Sequence, residues 1–229
     1  MKPTLILLHG ALGASKQLEP LKKELSNQFE VYTFDFEGHG GRQSDNSFSI
    51  DLFTQNVIDF MSENALESAS FFGYSMGGYV ALNLALRNAI YVDRIFTYGT
   101  KFEWTPESAV KEVKMLNPDS ILEKVPKFAS ALSALHSSVD WKINMKRTAE
   151  MMINLGKVNG YSDEQLNAIQ QKTLIAIGDQ DQMVTIEESN HAAQLLPNGR
   201  LHVFKDFVHP IERIDLKQLS MEITEFLIQ

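Results

Sequence analysis

The chain has 229 residues, 44% of them hydrophobic, and a formal net charge of −8 with no basic run. That size and apolar content suit one α/β domain carrying an insertion, and the acidic balance argues against nucleic acid or an anionic membrane as partner. Cysteine is absent, which removes disulfides, thiolate metal sites and a cysteine nucleophile. Met1-Lys2-Pro3 leads directly into an apolar run, Leu5 to Leu8, which reads as a strand buried on both faces. No signal peptide is visible there, and no stretch approaches the ~18 apolar residues of a membrane span, so a cytoplasmic location is expected. Pro20 suits the first turn of a helix carrying Leu21 and Leu25. Val31 to Phe34 is the next strand. Ser49 caps a helix that places Phe53, Val57 and Phe60 or Met61 on one face. Ser70 to Gly73 is a third strand, followed by a helix rich in small residues and leucine. Arg94 to Tyr98, Leu174 to Ile177 and Leu201 to Phe204 complete six strands. A last helix carries Leu216, Leu219, Ile223 and Phe226. Alternating strands and helices imply a mostly parallel six-stranded sheet with helices on both faces.

One segment breaks the alternation. Residues 101–171 contain no convincing strand, and Pro106, Asn117-Pro118, Pro126 and Gly156 punctuate three or four amphipathic helices. The reading is a core of residues 1–100 and 172–229 with a helical cap inserted at 101–171. The cap leaves the sheet at its carboxyl edge, after the strand ending near Tyr98, and returns to the strand at Leu174, so its apolar residues, Trp104, Phe128 and Met151 among them, are candidates to roof a pocket.

The segment Gly73-Tyr74-Ser75-Met76-Gly77-Gly78 stands between a strand-like and a helix-like run. A serine there sits on a tight turn that tolerates only tiny residues two positions before and after, and its hydroxyl is held up at a helix N-terminus. A serine hydroxyl needs a base, usually a histidine oriented by a carboxylate. Of six histidines, His209 alone lies between the last strand and the last helix, at the edge where Ser75 emerges. For the acid, Asp181 lies far enough beyond the fifth strand to meet that loop, with Asp179, Asp206 and Glu103 as competitors. Oxyanion donors need only backbone N–H groups. Met76 supplies one, and the glycine-flanked loop after the first strand supplies the other, at Ala11 or alternatively Leu12. Leu12 is also a candidate for the pocket wall.

The ordered set His9-Gly10, Asp35-x-x-Gly38-His39-Gly40, Gly73-Tyr74-Ser75-Met76-Gly77-Gly78, Gly178-Asp179-x-Asp181-x-x-Val184 and His209 resembles the α/β-hydrolase superfamily, in its capped, cofactor-free branch. The resemblance spans the chain outside the cap. It implies an α/β-hydrolase fold, Ser75, Asp181 and His209 as catalytic triad, the Ala11 and Met76 amides as oxyanion hole, and neither cofactor nor metal. The chain starts at what would be the family's third strand, which agrees with six strands. Gly41-Arg42 stands where the family often has any residue followed by serine after this glycine. Arg42 either faces an anionic substrate group or is a solvated loop arginine. Serine at position 75 argues against a dehalogenase or epoxide hydrolase. The expected function is a serine esterase-like hydrolase cleaving a small ester, thioester or related acyl substrate through an acyl-enzyme. The alternatives are a lyase or carbon–carbon bond hydrolase using the triad as a base, and a hydrolase-like small-molecule receptor.

Overall fold

The computed structural model describes residues 2–228. Six strands, β1 (Thr4–Leu8), β2 (Glu30–Thr33), β3 (Ala69–Tyr74), β4 (Val92–Tyr98), β5 (Lys172–Gly178) and β6 (Gly199–Phe204), form one sheet in the order β2-β1-β3-β4-β5-β6. Every neighbouring pair is parallel. All six expected strands form. Phe34, read as the end of β2, lies one residue beyond it.

Strand periodicity decides the layers. Ile6, Leu8, Phe71, Ile95 and Ile175 point to one face, under helices α2 (Ile50–Glu63) and α3 (Met76–Arg87) and a later helix at 186–195. Leu5, Leu7, Phe72, Phe96 and Leu174 point to the other, under α1 (Glu19–Leu25) and a C-terminal helix at 216–228. Successive side chains of a strand point to opposite faces, so runs such as Leu5 to Leu8 must be apolar throughout to fill both cores. Local signals start the helices where expected. Ser49 accepts the Leu52 N–H at 3.0 Å at the start of α2, and Pro20 stands in the first turn of α1.

Between β4 and β5 run five helices, α4 (Pro106–Val113), α5 (Pro118–Lys124), α6 (Pro126–Leu135), α7 (Trp141–Lys157) and α8 (Asp163–Ala168). Three or four were expected. The additional one is α8, six residues long and started by a reciprocal cap in which Ser162 accepts the Gln165 N–H. A helix that short shows no apolar period, only its cap. The Asn117 side chain starts α5 by accepting the Ser120 N–H at 2.9 Å. Ala109, Trp104 and Met151 join the main core, while Ile121, Ala129, Leu132, Trp141 and Met145 form a smaller core of their own. The chain then returns through α9 (Ile186–Leu195) and α10 (Leu216–Ile228). No described helix is long and apolar enough to cross a membrane.

Candidate active site

Ser75 occupies the single residue between β3 and α3, with φ 51° and ψ −115°. A non-glycine residue with positive φ is strained and persists only where its surroundings hold it. Here they do. The Ser75 N–H donates to the Tyr98 carbonyl at 2.8 Å, and the Thr100 hydroxyl donates to the Ser75 carbonyl at 2.9 Å. The turn is also closed too tightly for side chains. A methyl on Gly73 would overlap the Gly78 backbone, and one on Gly77 would overlap the Leu8 carbonyl.

His209 lies in the loop between β6 and α10, buried, with Nδ1 2.8 Å from Asp181 Oδ2. The other carboxylate oxygen, Oδ1, accepts the Met183 and Val184 N–H groups at 2.8 and 2.9 Å. Burial alone would raise the Asp181 pKa. The hydrogen bond and charge of His209, with the two backbone donors, outweigh it and hold the carboxyl below its usual range. An ionised Asp181 accepts, so His209 Nδ1 is the donor of this bond. Of the competing acids, Asp179 instead accepts the Asp206 N–H at 2.7 Å, tying the two loops together. The Glu103 N–H donates toward Glu188 at 3.3 Å. Arg42 pairs with Glu37 at 3.8 Å and does not line the cavity beside Ser75.

That cavity encloses about 40 Å³. It is lined by Ala11, Ser75 and Met76 and, from the segment between β4 and β5, by Trp104, Met151, Met152 and Leu155. Two residues read as pocket candidates lie elsewhere. Phe128, on α6, is 45% exposed and faces outward, because the short α6 buries Ala129 and Leu132 instead. Leu12 takes φ 58° and packs against the Ile121–Trp141 cluster, outside the lining of this cavity. Sequence reasoning missed Ile50, Tyr79 and Lys101 in the wall. Tyr79 stacks on Tyr161, ring centroids 4.1 Å apart, and Lys101 Nζ lies 3.6 Å from Glu188. Only the position of Lys101, just past a strand end, hinted at this.

Three further histidines gather in a buried cluster. His9, His39 and His136 are buried, with His39 between the other two at centroid distances of 5.1 and 5.9 Å. Burial lowers all three pKa values, that of His9 to about 4.

A family model described as "Serine aminopeptidase, S33" matches residues 1–213. Serine hydrolase BPHL of Mus musculus is 23% identical across 97% of this chain and 78% of its own length. Ethanol acetyltransferase 1 of Hanseniaspora uvarum is 31% identical over a shorter stretch, 36% of this chain, and the match spans a quarter of that relative (25%). Among solved structures, the enol-lactonase of Burkholderia xenovorans LB400 superposes with a TM-score of 0.81 at 20% identity, covering 100% of this chain and 92% of that one. At that identity the likeness speaks for the fold.

Proposed function

The chain belongs to the serine aminopeptidase S33 family of α/β-hydrolases, and from that premise we propose that it cleaves a small ester, thioester or related acyl substrate with Ser75 as nucleophile. The observation that carries this reading is the hydrogen-bonded Asp181–His209 pair, delivered by the loops after β5 and β6 to the sheet edge where Ser75 stands. In the proposed reaction the Ser75 Oγ attacks the acyl carbon while His209 Nε2 takes its proton. The oxyanion forms between the N–H groups of Ala11 and Met76, both lining the cavity. His209 then returns the proton to the leaving alcohol or thiol. Water, deprotonated by the same nitrogen, resolves the acyl-enzyme. Residues 101–171 act as a cap, with Trp104 and Met151 above the nucleophile. A small cavity with largely apolar walls suits a short acyl chain.

The test pairs a screen of p-nitrophenyl esters of graded length with a fluorophosphonate probe. Expected are turnover of the short esters, a covalent adduct on Ser75, and loss of both in Ser75→Ala. An adduct on another serine, or full activity in Ser75→Ala, overturns the assignment. Turnover without any adduct favours the reading in which the triad acts only as a base.

A further inference from the structure

We propose that His136, which belongs to the inserted helical segment, is a positioning residue for the Ala11 amide; this rests on the hydrolase reading above. His136 follows α6, and its ring is 2% exposed. Its Nδ1 accepts the Gly40 N–H at 2.9 Å. A ring nitrogen that accepts carries no proton, so the proton sits on Nε2, which donates to the Leu12 carbonyl at 3.0 Å. One imidazole from the helical segment therefore bridges two core loops that lie 96 and 124 residues away in the chain.

The loop it reaches is the one that carries Ala11. His9 Nε2 accepts the Phe36 N–H at 3.2 Å, so His9 Nδ1 is the donor to the Gly10 carbonyl at 2.9 Å. The Gly13 N–H reaches the same carbonyl at 3.1 Å. The Gly10 carbonyl and the Ala11 N–H belong to one planar trans peptide and point in opposite directions. Pinning the carbonyl therefore aims the N–H the other way. The next anchored carbonyl is that of Leu12, a residue with positive φ that its own preferences would not hold there. The Ala11 amide is bracketed by two histidine-held carbonyls, one secured from the core by His9 and one from the helical segment by His136. The N–H proposed to meet the oxyanion is therefore held from the core on one side and from the helical segment on the other. A preorganised donor loses its advantage when its orientation is released, because reorganisation must then be supplied during reaction.

The experiment compares His136→Ala and His136→Gln with the wild type on the shortest ester turned over, with Ser75→Ala as control. A glutamine amide can both donate to Leu12 and accept from Gly40. Expected for His136→Ala is a kcat lower by about 10-fold, a fraction of the 10²–10³ for losing an oxyanion donor outright, with KM within about threefold. His136→Gln should recover most of that kcat. In parallel, hydrogen exchange should speed up over residues 10–14 and 38–42 in His136→Ala and not in His136→Gln. If His136→Ala does not fold, His136→Leu, which keeps the packing and removes both bonds, takes its place. An unchanged kcat, or a loss of thermal stability alone, overturns the proposal, as does failure of the glutamine to rescue. If no ester is turned over by the wild type, the hydrolase reading fails, and the exchange measurement still decides whether His136 anchors the loop.

Discussion

The phenol of Tyr98 donates to the carbonyl of Val208 at 2.6 Å, immediately before His209 in the chain. The carbonyl of the same Tyr98 accepts the Ser75 N–H. One residue at the end of β4 thus holds both the Ser75 turn and the His209 loop, so it bears on their separation. Tyr98→Phe leaves a carbonyl short of its donor in a largely buried setting, a loss of about 1–2 kcal/mol. Its expected effect on catalysis is a kcat lower by about 3- to 10-fold with little change in KM. Steady-state kinetics beside a urea titration check this; equal kcat in both proteins would remove Tyr98 from the positioning role.

The two aspartates after β5 should behave differently. Asp181→Asn keeps the shape but no longer fixes the His209 tautomer, and kcat should fall by about 10³–10⁴. Asp179→Ala loses the bond to the Asp206 N–H and should lower stability by about 1 kcal/mol while keeping most activity. The reverse ranking would transfer the acid role to Asp179.

Met151 is buried over the cavity, 3% exposed. Met151→Ala should shift the preferred ester toward longer acyl chains and change kcat on the acetyl ester by less than about threefold. The same change should cost about 2–4 kcal/mol of stability, as buried truncations do. A chain-length profile identical to the wild type would place the substrate outside this cavity.

Acid should loosen the fold before it protonates the carboxylates. Folded His9 has its pKa lowered by burial to about 4 from 6.5, with His39 and His136 lowered as well. The unfolded chain then binds protons that the folded one refuses, so stability is full above about pH 6.5 and falls as pH drops toward 4. His9 alone accounts for about 3 kcal/mol of that loss. Urea midpoints at pH 7.5 and 5.0 measure it, and His39→Gln should flatten the dependence. A midpoint unchanged between the two pH values would contradict the buried neutral cluster.

The strands and most helices were legible because their signals are local. Leu5 to Leu8 declares a doubly buried strand by itself, and Ser49 and Asn117 mark helix starts within four residues. The position of Ser75 between β3 and α3 was legible for the same reason. The cavity wall was less so. Whether Phe128 or Met151 faces Ser75 depends on how α6 and α7 roll against the core, and both have apolar stripes that allow either. His136 carries no local signal in the sequence. Its partners Leu12 and Gly40 become neighbours through tertiary packing, which no spacing in the sequence encodes.

The insertion between β4 and β5 also bears on the order of assembly. These strands pair directly, Tyr98 opposite Ala176, yet the chain between them is long. Closing a loop of roughly 70 residues costs about 1 kcal/mol more than closing one of roughly 20. β3 and β4 are joined by a far shorter connection, running through α3, and leave the ribosome before β5. The strained turn at Ser75 therefore forms within an early N-terminal half, whereas β5 and β6 bring Asp181 and His209 to it late. Pulse-labelled exchange should protect β3 and β4 before β5. A nascent chain would then carry a formed Ser75 turn for some time before the Asp181–His209 pair docks at the same edge of the sheet.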